Sequence, residues 1–537
     1  MKFFYNEFIK IINTDGTERQ SVLEPLRNKK GENEMKKRIS ALMIALACTV
    51  TCFSGCGDKQ TAGSSDYSEH YTYTINMSGA DKQPKESYKQ ICEKFNIDFE
   101  FIPITSGDWQ EKTRIWMATG DMPDILWANI QNFNFSEYRN WAEEGLLKEI
   151  KDYSEYPNIK KIQDSLESAP YFKVDGKQYA YLSANIESNP DDKHFNVYSF
   201  LYRRDWAQQL GLATDDNVYT WDQFLEIGKG MTQKLGKIGL VGSAGTYPHF
   251  SGMMQISPYW EQYTKVDGEY KWGMDLPETL DAIKMSKRIY DEGILWQDMV
   301  IATGSEGNDK FKAGEAGICF ENCTPGTIKK YMDDLEKSGV DNPYDKVAVM
   351  NVKAPNGYFW GQECMDYWTI NCYNPDMSDE KLDRLLQMYD YMLSDTDEVK
   401  QLYRYGVEGK DYTLDDNGVP QLTNEDASNL VLSSPIYNDK AFNTENLRVP
   451  EKARQMGQGV LDILNSDQCK PRQYDYPLYF FSAPNKDKYG LFYEDGRTKI
   501  KQIIMSSSNV DGDWEAWKAT VRDKVQLVLD ELNEGLK

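Results

Sequence analysis

At 537 residues the chain is long enough to build more than one hydrophobic core, and its 85 acidic against 61 basic residues leave a net charge of −24. Such an acidic chain argues against nucleic acid as a partner, because a polyanion is bound through a basic face. Aromatic residues make up 13% of it, with 13 Trp and 35 Tyr, which excludes a disordered chain. Most of these rings fill cores, and the surplus of Tyr and Trp suggests an amphipathic binding surface as well.

Residues 35–55 read as a secretory signal. Lys36, Lys37 and Arg38 form a basic start, and residues 39–50 form an apolar run too short to span a bilayer comfortably. The alternative, a single membrane helix, calls for a charged flank, whereas this run ends in small residues and a Cys. Phe53-Ser54-Gly55-Cys56 resembles a bacterial lipobox, with Phe53 where Leu is commonest. That resemblance implies that Cys56 is lipid-modified and anchors the chain on the extracellular face of the cell membrane. More than one acyl chain makes such anchoring stable, each buried CH₂ contributing about 0.8 kcal/mol. Residues 1–34 fit no signal architecture, so Met35 is the expected initiator and the leader before it an artefact of annotation. Residues 56–69 are polar and read as a flexible tether.

Beyond the tether, residues 71–76 alternate like a strand, and residues 85–95 carry Tyr88, Ile91, Cys92 and Phe95 at helical spacing. Residues 99–104 are strand-like again, a βαβ beginning that implies a parallel sheet with right-handed crossovers. A helix is expected over 108–119. Gly120 and Pro123 then punctuate the chain before a short apolar strand that ends in Trp127 and Asn129. Ligands of such sheets sit outside the carboxyl ends of the strands, so this pair is the first candidate site. A helix over 138–150 is closed by Gly145, and residues 174–181 form a hairpin on Asp175-Gly176. Strand 197–202, helix 205–210 and a helix over 221–231 follow, the last capped by Thr220 with an approximate Thr-x-x-Gln box. Strands are expected at 316–320 and 347–352, and an amphipathic helix at 513–536 closes the chain.

GDMPDILW, WAEEGLLKEI, VDGKQYAYL, YRRDWAQQLGL with TWDQFLEIGKGM, and FKAGEAGICF occur in that order. Together they resemble the family 1 extracellular solute-binding proteins of ABC importers. YGVEGKDYTLDDNGVP at 405–420 is similar to the lipoprotein branch of Gram-positive bacteria, often tied to carbohydrates. The resemblance runs from Tyr71 to Lys537. It implies an α/β fold of two lobes, type II and like the periplasmic binding proteins, with hinge strands between them and the ligand in the cleft. The first lobe is expected to hold 70–192 and 353–409, and the second 193–352 and 410–537. Crossings are expected near 189–197, 354–357 and 406–412. The implied function is a receptor, a monomer, that captures a carbohydrate by hinge closure and delivers it to the membrane subunits of a separate permease.

The residues themselves offer little catalytic machinery. The three His (His70, His194, His249) form no HExxH, and neither a GxSxG elbow nor a phosphate loop is present. With 85 acidic residues, carboxylate pairs arise by chance, so their presence carries no weight for glycoside hydrolysis. The expectation is a protein that is not an enzyme and holds no cofactor. Some relatives carry an Asp/Asn-rich calcium loop where this chain has Thr232-Gln233-Lys234-Leu235-Gly236-Lys237, without a carboxylate, so no calcium is expected there. The six cysteines beyond Cys56 allow 15 pairings, which the sequence leaves open.

A sugar site needs flat rings against pyranose C–H faces and planar polar groups for the hydroxyls. Trp127 and Asn129 fit both roles, with strand-end packing as the alternative. Tyr259, Trp260 and Trp272 flank the Asp267-Gly268 turn and are the expected platform of the second lobe. Glu321 follows a strand where the family's chain reaches the cleft, although a solvated loop acid fits equally. Trp360, Glu363 and Asp366 follow the second crossing and would line the hinge. Trp109 either stacks on ligand or caps its helix. Trp141, Trp206 and Trp221 sit within helix motifs and are assigned to core. Two other readings remain at this level: a receptor for peptides or another solute, and a surface lipoprotein that hydrolyses glycans.

Overall fold

The computed structural model describes residues 67–536 apart from 78–81, 106–107, 130–134, 187–194, 244–255, 258–261, 303, 395, 417, 425–426, 429–435, 440–447, 473 and 491–492. The expected leader, signal and lipobox, with Cys56, lie outside these residues. The first lobe opens with β1 (Tyr71–Met77), α1 (Glu86–Phe95) and β2 (Ile97–Pro103). Tyr88, Ile91, Cys92 and Phe95 are buried, the single face that their spacing gives. α2 (Trp109–Thr119) ends at Gly120, and β3 (Ile125–Ala128) joins β1 on the side away from β2, both pairings parallel. α3 (Phe135–Glu143) buries Phe135, Tyr138 and Trp141. The Asp175-Gly176 turn has φ of 51° and 77°, the left-handed pair of a tight hairpin, and β4 (Ala180–Ile186) follows.

β5 (Phe195–Asn196) and β6 (Tyr198–Arg203) lead into the second lobe, with β7 (Val218–Thr220) and α4 (Trp221–Lys229). The α4 capping box is complete: Thr220 Oγ1 accepts from the Gln223 N–H at 3.3 Å, and Gln223 Oε1 accepts from the Thr220 N–H at 2.8 Å. β8 (Ile238–Gly242), the hairpin β9 (Tyr263–Val266) and β10 (Glu269–Trp272), α5 (Pro277–Asp291), α6 (Glu306–Lys312), β11 (Ala316–Asn322), α7 (Pro325–Lys337) and β12 (Val347–Lys353) complete this pass. β13 (Phe359–Glu363) returns the chain to the first lobe as β14 (Tyr367–Tyr373), α8 (Asp379–Met392) and β15 (Ile436–Asp439). α9 (Glu451–Leu464), β16 (Cys469–Arg472), α10 (Tyr476–Phe480), α11 (Tyr493–Ser506) and α12 (Val510–Gly535) follow.

The first sheet runs β15-β4-β14-β3-β1-β2, the second β8-β11-β6-β12-β7, and a third, small sheet β16-β13-β5 holds the crossings. In each large sheet the strand arriving from the other lobe, β14 or β6, runs antiparallel to both neighbours. The carboxyl ends of β1, β2, β3 and β4 therefore share an edge with the start of β14, and those of β8, β11 and β12 share one with the start of β6. Those two edges adjoin the crossings, which is where a ligand of this architecture sits.

Two expectations about the crossings need correcting. Residues 406–412 do not cross. Asp411, 8% exposed, accepts the Glu86 N–H at 2.6 Å and the Ser87 N–H at 2.9 Å, capping α1 from a distant part of the chain, and also accepts the Val407 N–H at 2.9 Å. Gly406, at φ 94°, lies so close that a Cβ there would stand 2.3 Å from Asp411 Oδ2. The first lobe also continues past residue 409, since β15 pairs with β4. The third crossing is instead β16, which runs parallel to β13 and leads into α10. Tyr476 and Phe480 of α10 pack in the first lobe's core while Leu478 packs in the second. α12, expected on the second lobe, buries Trp514, Val521, Val525, Val528 and Leu532 there.

Because Asp411 satisfies three backbone donors in a place with little water, Asp411→Ala is expected to lower unfolding stability by about 2–4 kcal/mol. Urea unfolding followed by circular dichroism measures it. A midpoint equal to that of the parent chain would show that α1 needs no such cap.

Candidate functional site

The site begins at the carboxyl end of β3. Among the described residues only Ile75 and Ile125 pair in backbone register between β1 and β3. Two residues further on, the Asn76 side chain takes over: its Nδ2 donates to the Trp127 C=O at 2.7 Å, and its Oδ1 accepts the Trp127 N–H at 2.8 Å. The Trp127 indole N–H donates to Thr369 Oγ1 on β14 at 2.8 Å. Trp109, the first residue of α2, donates its own indole N–H to the same Trp127 C=O at 2.9 Å. The two indoles stand 4.3 Å apart between centroids at 31°, each half-buried. They form one tilted pair of flat, apolar rings, and Trp127 also packs against the first lobe's core. Asn129, one residue past β3, is buried. Beside the pair, hydrogen bonding to Lys112 holds the Asp108 carboxyl down to about 2, so it is ionised at neutral pH.

The hinge residues hold the crossings together. Trp360 is half-buried on β13, opposite Lys470 of β16. Glu363 Oε2 accepts the Tyr474 N–H at 2.7 Å. Asp366, 5% exposed, is bound on several sides. Its Oδ2 accepts the Ser168 N–H at 3.1 Å, its C=O accepts the Asn185 N–H at 2.8 Å, and its N–H donates to the Tyr476 hydroxyl at 3.0 Å. Among the described residues Asp366 Oδ1 has no hydrogen-bond partner. Trp360 and Glu363 thus lie on the crossing strand β13, and Asp366 is buried just beyond it.

The second lobe departs further from expectation. Trp272, proposed as a platform, is 1% exposed inside the second core, 5.8 Å from Trp517 of α12. Alternation along β10 turns Tyr270 and Trp272 inward beneath the closing helices, a partner that local sequence does not announce. Tyr259 and Trp260 lie outside the described residues. Glu321 sits near the carboxyl end of β11, and its oxygens are engaged within the lobe. Oε2 accepts from the Tyr331 hydroxyl at 2.6 Å and the Asn308 amide at 2.9 Å, and Oε1 accepts the Asn322 N–H at 2.8 Å. Its role here is to lock β11 to α6 and α7. Trp141, Trp206 and Trp221 are buried, as assigned.

Residues missed by sequence reasoning are Asn76, Thr369 and Trp368. Asn76 was read only as the end of a strand, yet a buried amide there has to find partners. Trp368 and Thr369 open β14, just after the second crossing, and Trp368 is half-buried at the same sheet edge as Trp127. The aromatic run Tyr367-Trp368 was the available signal.

The sequence profile of the family described as bacterial extracellular solute-binding protein matches residues 86–371. Among curated proteins, the polygalacturonan/rhamnogalacturonan-binding protein YtcQ of Bacillus subtilis is 22% identical over 347 residues, 61% of this chain. That match spans 64% of YtcQ's own length, just under two thirds. Lipoprotein LipO of the same organism is 23% identical over 405 residues, 71% of this chain and 75% of LipO. Among solved structures, alginate-binding protein AlgQ2 without calcium ion superposes with a TM-score of 0.63 at 14% identity, covering 88% of this chain and 99% of that one. The Streptococcus pneumoniae substrate-binding protein FusA in complex with kestose gives 0.59 at 14% identity, covering 86% and 97%. At such identities the likeness establishes the shared two-lobe fold.

Proposed function

Because this chain belongs to the bacterial extracellular solute-binding proteins, we propose that it is the receptor of an ABC importer, capturing an oligosaccharide between its lobes and delivering it unchanged to a permease. The observation that carries this reading is the fixed Trp109–Trp127 pair at the ligand edge of the first sheet. Paired indoles offer apolar planes to the C–H faces of sugar rings, and buried polar groups nearby reject a ligand whose hydroxyls leave them unpaired, at about 1–3 kcal/mol each. The names of the relatives, which bind polygalacturonan, rhamnogalacturonan and alginate, support the same ligand class. In this reading a lipid on Cys56 holds the receptor, a monomer, on the extracellular face of the cell membrane. Trp360 and Trp368 complete the cleft from the crossing side in this reading. The lobes close when the ligand touches both, since only a difference in affinity between open and closed forms shifts their populations.

Thermal unfolding of the purified chain against panels of oligosaccharides and oligopeptides tests the ligand class. One family of oligosaccharides is expected to raise the melting temperature, as any ligand selective for the folded state does. A shift produced by peptides alone would replace the carbohydrate reading with a peptide receptor.

A further inference from the structure

We infer that Asn76 is a positioning residue of the binding site, a buried wedge that builds the Trp109–Trp127 pair, and the inference rests on the reading of that pair as the sugar platform. In a regular parallel pair the backbone N–H and C=O of Trp127 would bond to the backbone of β1. Here the register stops at Ile75 and Ile125. The next contact is made by the Asn76 carboxamide, which copies a peptide group by giving one donor to the Trp127 C=O (2.7 Å) and one acceptor to its N–H (2.8 Å). Asn76 is 0% exposed, so no water competes for these bonds. Inserting a side chain where a backbone would lie sets β3 away from β1 at their carboxyl ends.

That separation has a consequence for the site. The Trp127 C=O, turned toward β1, accepts the Asn76 amide and the Trp109 indole N–H together, the latter at 2.9 Å. One carbonyl thus fixes the position of Trp127 and the orientation of Trp109, while Thr369 Oγ1 holds the far end of the Trp127 ring. Asn76 acts on the ligand through Trp127 and is expected to make no contact with it. Its two-point pairing demands a donor and an acceptor on one planar group. Asp supplies only acceptors and sets an oxygen against the Trp127 C=O, and Ala supplies neither.

The experiment uses the full mature chain, without and then with the oligosaccharide identified by thermal shift. Two indoles at this separation couple as an exciton pair, giving a far-ultraviolet circular dichroism couplet that Trp109→Phe assigns by its loss. Asn76→Ala and Asn76→Asp are expected to change or abolish the couplet in the absence of ligand and to weaken binding by about tenfold or more. Asn76→Ser, which keeps one donor and one acceptor in a smaller group, serves if either variant does not fold. It is expected to keep part of both signals. A couplet unchanged in a folded Asn76→Ala chain would overturn the inference, whatever the affinity. A couplet lost with affinity intact would uphold the positioning role and remove the indole pair from the sugar site, so the two readings fail separately.

Discussion

Trp127→Ala is expected to weaken oligosaccharide binding by about a hundredfold or more, the equivalent of about 3 kcal/mol, while leaving a folded chain. The size follows from what one substitution removes. The Trp127 ring is one half of the tilted pair and the support of the other half, 4.3 Å away. Its loss takes away a platform and frees the Trp109 ring to move. Folding survives because β3 is held by its backbone, through β14 in antiparallel register and through Asn76. Trp127→Phe separates the contributions: it keeps a flat ring but loses the bond to Thr369, and about a tenfold loss is expected. Titration calorimetry measures both variants, with circular dichroism as the control for folding. Affinity equal to that of the parent chain in Trp127→Ala would remove the indole pair from the site.

Phe480→Ala is expected to lower stability by about 3–5 kcal/mol, the usual range for truncating a buried Phe in a core that cannot collapse around the gap. Phe480 is 3% exposed and lies 4.6 Å from both the Phe135 and Tyr171 rings and 5.4 Å from Phe172, all in the first lobe. Leu478, two residues earlier on the same short helix, packs in the second lobe. Asp475 caps that helix through the Leu478 N–H at 2.9 Å and accepts from the Tyr270 hydroxyl of β10 at 2.8 Å. The substitution therefore loosens the third crossing as well as one core. Calorimetric unfolding is expected to show both a lower transition temperature and weaker coupling between the lobes. A single transition unmoved from that of the parent chain would mean that α10 contributes nothing to either.

Much of this architecture was legible in the residues. The buried stripe of α1, the Asp175-Gly176 hairpin and the Thr220 cap each follow from local spacing or turn chemistry, and the structure places them where that chemistry puts them. What local pattern could not supply was the partner of each buried group. Trp272 lies near a turn, and its burial depends on a helix that begins more than two hundred residues later. A crossing was expected near 406–412, whereas Asp411 serves the start of α1. Asn76 looked like the last residue of a strand, and only the pairing of β1 with β3 reveals a backbone bond made by a side chain. Trp127 and Trp109 were legible as candidates, but their contact was not, because it joins a helix start to a strand end through tertiary packing.

The central claim is that one oligosaccharide binds per chain and leaves unaltered. Native mass spectrometry of the mature chain, mixed with neutral and acidic oligosaccharides and with peptides and followed over hours, tests it in one measurement. The account predicts a single carbohydrate adduct per chain, at the intact ligand mass, with no shortened products accumulating in the mixture. A peptide adduct in its place, or a steady conversion of oligosaccharides to smaller ones, would contradict it.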